Sequence, residues 1–431
     1  VPIERQAIVS LIIPLTDLAA TDAGRVGPKA ANQAALGRAG LPIAGGFALT
    51  ADAYRRQVES LGIADAARAA FRADGPEALR AALRVRLTLL QQPIAAEIQD
   101  PLLAAWRDQV AASGTLTVVR SSALVEDRFG SSFAGQFESY LGLESEADFL
   151  TAVRACWGAL WSTRALRYMA THDLDPADTA MGVIVQPLVA AKAAGGGLSQ
   201  TAEGNMLINA TLGLGSAIAQ GEVVPDRIVL SREGVLLEIT PGRKGHSVSC
   251  LHDGTRAVPK SVATRPCLTG RQAIELGAML RKAEEIVGGA AEIEWALDEQ
   301  GFKLLQARPL HMEAAHVPDE VWAQHPRLRG HPAGVGWGTG RARVVNCECE
   351  LPGVAPGDIL VTKVAGPALA HILPRLAGLV TELGGSTSHL ASLARERGIP
   401  MVLGVLDATE RIPNGAQVAV DGVAGVVRWM Q

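Results

Sequence analysis

The chain has 431 residues, a formal net charge of −4, and 48% hydrophobic, 19% charged and 4% aromatic residues. That length accommodates about three domains with cores of their own and excludes a small stapled module. Basic residues are spread rather than bunched, which with so few aromatics excludes a nucleic-acid surface.

Five cysteines lie at scattered positions, and Cys347-Glu348-Cys349 has neither zinc nor redox spacing, so they read as buried thiols of a cytoplasmic protein. Pro14 breaks the apolar run from Ala7 to Leu15, and neither a membrane span nor a signal peptide is expected.

A helix is predicted from Arg25 to Gly40, carrying Lys29 early after Val26-Gly27-Pro28 and stopped by Gly40 and Pro42. Amphipathic scaffold helices follow to about Ala112. Leu116 to Val119 reads as a short strand leading into Arg120-Ser121-Ser122, and Gly130-Ser131-Ser132-Phe133-Ala134-Gly135 is a small-residue loop. Such a loop offers backbone N–H groups and hydroxyls without bulk, as a polyphosphate cradle requires, and an arginine at the strand end supplies a bidentate fork. The same residues also suit an ordinary Gly/Ser turn.

One long helix is expected from about Glu146 to Ala170, then strands Met181 to Val189 and Ala193 to Thr201. Pro187 removes a ladder donor after Gln186, so a connection there would present backbone groups to an adenine. Thr269 and Gln272 form a capping-box pattern for a helix reaching about Val287. Ala291 to Leu297 then alternates as a strand, Asp298 to Gly301 turns, and Phe302 to Arg308 returns. Period two sets Glu292 and Glu294 on one face, and Gln306 and Arg308 on one face. If the faces coincide, two carboxylates, an amide and a guanidinium converge to hold Mg²⁺ and phosphate oxygens; otherwise the hairpin simply has a wet side.

Residues 316–340 are rich in His, Pro, Gly and Trp without apolar periodicity and read as a flexible linker. From Arg341 to Gln431 strands and helices alternate in a small α/β domain. Within it Leu379 and Val380 end a buried strand, Gly384-Gly385 turn, and Ser386 to Ser388 are N-cap types before a helix with apolar positions at Leu390, Leu393 and Ala394. His389 therefore stands in a helical first turn, where free N–H groups and the dipole favour an anion; a capping or structural histidine would sit there equally well.

Taken together these stretches resemble the phosphohistidine dikinases, a family that includes phosphoenolpyruvate synthase, pyruvate phosphate dikinase and rifampin phosphotransferase. The motifs run in the family's order over nearly the whole chain. Val26 to Asn32, Val119 to Ala123 with Glu126-Asp127, Ser132 to Gln136, Gly213-Leu214-Gly215, Pro225-Asp226, Ile293 to Ala296 and Gln306 to Pro309 look like an ATP-grasp nucleotide domain. Gly384 to His389, Ala394-Arg395-Glu396 and Gly398-Ile399-Pro400 look like the swivelling phosphohistidine domain.

The resemblance implies an α/β chain divided into an α+β ATP-grasp domain over residues 1–315, a linker over 316–340 and a small α/β swivelling domain over 341–431. It implies ATP and Mg²⁺ as ligands. Lys29, Arg120, Ser132, Gly135, Gln186, Glu294, Gln306 and Arg308 would bind nucleotide and phosphates, with Glu294, Gln306 and Glu292 at the metal. His389 would take the β-phosphate with release of AMP and orthophosphate. Thr387 stands where some dikinases carry a regulatory phosphothreonine.

Departures are equally specific. Ser216 replaces the family's glutamate after Gly-Leu-Gly, and Arg128-Phe129 replaces the usual Leu-Pro. Neither a TIM-barrel domain nor the rifampin-type acceptor domain is recognisable in the sequence. The expected activity is thus a phosphotransferase acting on a small-molecule acceptor, or with a separate acceptor-binding subunit. A condensing ligase and a non-catalytic nucleotide-binding regulator are the competing expectations, and no nucleic acid or membrane partner is expected.

Overall fold

The computed structural model describes residues 10–72, 75–126, 137, 139–171, 174, 179–201, 203–248, 255–310, 322, 324–364 and 366–430. Described residues up to Leu188 belong to one compact unit and those from Val189 onward to a second.

In the first unit five strands form an antiparallel sheet: β1 (Ile12–Pro14), β2 (Phe47–Leu49), β3 (Thr117–Ala123), β4 (Ser139–Leu143) and β5 (Met181–Pro187), in the order β1-β2-β5-β3-β4. Pro187 closes central β5 as its last residue, where a missing N–H costs the ladder least. Thr117 to Ala123 and Met181 to Gln186 are nearly all buried, and helices Pro28–Arg38, Ala96–Ser113 and Glu146–Ala159 belong to the same unit. Trp106 stacks on Phe149 at 5.2 Å and donates its indole N–H to Thr117 at 2.9 Å, so a large aromatic is buried without stranding its polar atom.

The helix expected over 146–170 is two helices, Glu146–Ala159 and Thr163–Thr171. Ser162 breaks them: its hydroxyl accepts from Ala165 N at 3.2 Å and caps the second.

The second unit holds two large sheets. The first contains β6 (Ala193–Leu198), β7 (Met206–Leu212), β8 (Asp226–Leu230) and β9 (Leu236–Thr240), followed after a small hairpin of β10 (His246–Val248) and β11 (Thr255–Ala257) by β12 (Ala291–Leu297) and β13 (Phe302–Pro309). Its order is β13-β12-β6-β7-β8-β9, antiparallel throughout. The helix Gly270–Val287, with the predicted Thr269–Gln272 capping box formed, lies against one face. A Cβ on Gly197 would meet Leu280 of that helix at 3.3 Å, so odd-numbered positions of β6 face it.

The other sheet contains β14 (Arg327–Arg329), β15 (His331–Pro332), β16 (Trp337–Val345), β17 (Ile359–Thr362), β18 (Gly378–Thr381), β19 (Met401–Leu403), β20 (Gln417–Asp421) and β21 (Val426–Trp429). The order is β14-β21-β20-β16-β17-β18-β19-β15. Strands β17, β18 and β19 pair in parallel and read as short continuous apolar runs because both faces are covered.

One expectation is corrected here. Within residues 327–340, part of the span read as a flexible linker, β14, β15 and the first part of β16 are paired; their Gly, Pro and His content hid short strands that pair with distant partners. The boundary between the compact units, Leu188/Val189, lies inside the span 1–315.

Candidate active site

In the first unit, the Gly27-Pro28-Lys29 corner is built against the end of β3. Gly27 has φ +81°, and a Cβ there would lie 2.1 Å from the Ser122 carbonyl oxygen, so the approach requires glycine. Ser122 Oγ accepts from Ala30 N at 3.2 Å, and Lys29 Nζ lies 3.2 and 3.1 Å from the two carboxylate oxygens of buried Glu126. Arg120 lies two residues before Ser122 on the same strand, and so shares its face. Gln186 is buried on β5 and donates its side-chain amide to Gly45 O at 3.0 Å. Ser132 and Gly135 lie outside the described residues.

In the second unit, the hairpin β12–β13 forms, and the two faces that period two sets coincide. Glu292 stands opposite Arg308 and Glu294 opposite Gln306, so all four share one face. The row through Glu294 continues across the sheet to Gly196 on β6 and Asn209 on β7.

His389 opens the helix His389–Glu396, with Ser388 as N-cap accepting from Ala391 N at 3.2 Å. The loop before it is seated on that row of the sheet. A Cβ added to Gly196 would lie 2.5 Å from Cβ of Thr387, and one added to Gly385 would lie 2.6 Å from Pro225 and 3.3 Å from Asn209 Oδ1. Gly384 N donates to Val223 O at 2.9 Å. One face of this sheet is therefore covered by the helix Gly270–Val287, and the other receives the histidine loop directly beside Glu294.

Buried polar atoms mark the same region. Among the described residues, Asn209 Oδ1, Thr211 Oγ1, Ser216 Oγ and Thr387 Oγ1 are buried without a hydrogen-bond partner. Such atoms are costly unless something polar meets them. Ser216 begins the short helix Ser216–Ala219.

Glu292, expected at a metal, has a different environment. Its Oε2 accepts from Arg308 Nε at 3.2 Å and Nη2 at 2.9 Å, and from Arg395 Nη2 at 3.0 Å. Ser392 Oγ accepts from Arg308 at 2.5 Å and from Arg395 at 3.2 Å. Arg395 also donates to the carbonyls of Ser386 at 2.6 Å and Ala333 at 3.3 Å. Burial holds the Arg395 pKa below its ordinary value, Glu292 opposes that shift, and Arg308 adds to it. Among the described residues no group of three or more His, Cys, Asp or Glu is arranged to hold a metal.

Sequence reasoning missed the roles of Ser392 and Arg395. Their helix reads as amphipathic, and Arg395 entered only as part of the motif Ala394-Arg395-Glu396, with no role attached. It also missed Lys244, which is fully buried and paired with fully buried Asp226. Asp226 accepts in addition from Gly242 N at 2.8 Å and Cys267 N at 2.6 Å, and burial with this nearby carboxylate pushes the Cys267 thiol up. The expectation that all cysteines are buried is corrected, since Cys347 and Cys349 are exposed. Among the described residues no helix is long and apolar enough to cross a membrane.

The family models that match this chain place it among the PEP-utilising enzymes with ATP-binding and phosphohistidine domains. The chain belongs to the family described as pyruvate phosphate dikinase, AMP/ATP-binding domain, which matches residues 23–327, and the PEP-utilising enzyme mobile domain matches residues 354–425. It is 29% identical over 97% of its length to a probable phosphoenolpyruvate synthase of Methanothermobacter thermautotrophicus, covering 64% of that protein. It is 31% identical to phosphoenolpyruvate synthases of Pyrococcus furiosus, over 95% of this chain and 58% of that protein, and of Aeropyrum pernix, over 93% and 56%. The chain thus spans about 56–64% of the length of these curated relatives.

Proposed function

We propose that the chain is an ATP-dependent phosphotransferase of dikinase type in which His389 is the covalent carrier. The observation that carries this reading is the seating of residues 385–387 over Asn209 and Gly196, in the sheet row that continues to Glu294 and Gln306. An imidazole at the start of that helix stands where a phosphate would meet free N–H groups and the positive dipole end.

The neutral imidazole attacks the β-phosphorus and AMP leaves with the bridging oxygen. Water then removes the γ-phosphate as orthophosphate, and phosphohistidine remains for transfer to a small-molecule acceptor, free or held by a partner subunit. Dividing the transfer this way replaces one difficult step by two easier ones. The family resemblance assigns Lys29, Arg120 and Arg308 to the triphosphate, and Ser132, Gly135 and Gln186 to nucleotide binding. Glu294 and Gln306 suit Mg²⁺, which takes one or two protein oxygens and completes its shell with phosphate oxygens and water. When bound, the ion would neutralise charge on the phosphates.

The test is incubation with Mg²⁺ and β-labelled ATP without acceptor. Wild type is expected to retain acid-labile label and release AMP, and His389→Ala to retain none. A wild type that neither labels nor forms AMP overturns the reading.

A further inference from the structure

Glu292 and Arg395 are 103 residues apart in the chain and meet in a buried cluster, with side chains each 7% exposed. The same carboxylate oxygen serves Arg308 of β13. Two guanidinium groups brought this close out of water repel each other, and only a carboxylate between them makes the arrangement tolerable. Glu292 is that carboxylate. Glu292 Oε2 thus receives two cations, one from each domain motif that it joins.

Arg395 lies six residues beyond His389 on one short helix, and Ser392 lies between them with its hydroxyl in the same cluster. Ahead of His389, Thr387 rests on Gly196, which is two positions from Leu198, the β6 partner of Glu292. The histidine is therefore bracketed from both sides by one sheet. Thr387 is held by close packing, and Ser392 with Arg395 by charge.

We propose that Glu292 is a clasp for the histidine-bearing helix, a positioning residue that binds Arg395 and Arg308 at once and so fixes His389 over the β6–β12 face. It acts through Arg395 and does not hold the metal. The proposal deepens the phosphohistidine reading and rests on it only for the activity measurement below.

Two measurements test it in Glu292→Gln, Arg395→Met and the double variant. The first is hydrogen exchange of amides 389–396 in nucleotide-free protein. Each single variant is expected to speed exchange of this helix roughly tenfold or more, and the double variant no more than either, because contacting partners are not additive. Unchanged exchange in the single variants, or effects that simply add, overturns the clasp.

The second is the rate of labelling from β-labelled ATP across a Mg²⁺ titration. Both variants are expected to label roughly tenfold more slowly at saturation, with unchanged half-saturation by Mg²⁺, and Arg395→Lys to recover part of the rate. If Glu292→Gln raises the Mg²⁺ requirement while Arg395→Met leaves it alone, Glu292 is a metal ligand and the proposal falls. Should Glu292→Gln fail to fold, the milder Ser392→Ala replaces it, with faster exchange of 389–396 expected and unchanged exchange counting against the clasp. If wild type never labels, the phosphotransferase reading fails while the exchange measurement still decides the clasp.

Discussion

The buried pair Asp226–Lys244 illustrates how one residue can hold several segments. Asp226 accepts from Lys244 and from the backbone N–H groups of Gly242 and Cys267, in two separate stretches of chain. Asp226→Asn leaves a fully buried ammonium without its counter-charge, and a loss of about 3–5 kcal/mol is expected from denaturant unfolding. Pro225-Asp226 was visible as a motif, but Lys244 was not, since a lone lysine in an aperiodic stretch reads as solvated. That Glu292 shares a face with Glu294, and Gln306 with Arg308, was legible from alternation within each strand, whereas the meeting of the two faces was left open by the sequence.

Elements follow the same division between local and distant causes. The start of the helix Gly270–Val287 was legible from Thr269 and Gln272 and its end was expected near Val287, where Gly288 takes the left-handed conformation. Thr269→Ala removes half of the capping box and is expected to cost about 1 kcal/mol, read as a lower denaturant midpoint with unchanged slope. Strands β14 and β15 were missed because each has only two or three residues and pairs with a strand about 70 to 100 positions away in the chain. The split of 146–170 turned on Ser162, a cap whose role depends on the geometry of the turn before it.

At the scale of the whole molecule, the second unit joins a nucleotide-type sheet to the histidine-bearing sheet, and His331 lies in that joint. Its Nδ1 is 3.4 Å from Asn209 Nδ2, and it is buried. Burial, reinforced by Arg227 and opposed by Glu238 and Asp226, lowers its pKa from 6.5 to about 4. The unfolded chain binds this proton more readily, so stability rises with pH across that interval. Unfolding free energy is expected to fall by up to roughly 3 kcal/mol as pH drops from about 6.5 to about 4, and this histidine leaves it flat above that range. Denaturant midpoints across this range, compared with His331→Gln, measure it; an equally steep loss in the variant assigns the effect elsewhere.

The position of β16 has a consequence for anyone cutting this chain. The mobile-domain match begins at Val354, yet β14, β15 and β16 precede that residue and supply three of the eight strands in its sheet. Strand β16 bonds antiparallel to β20 through Trp337–Arg341 and parallel to β17 through Ala342–Val345. A fragment starting at the match boundary would leave β20 and β17 with open edges where their common neighbour had been. Open edges invite pairing with other copies. The excisable module therefore begins before Arg327, inside the span that composition alone marked as a flexible linker.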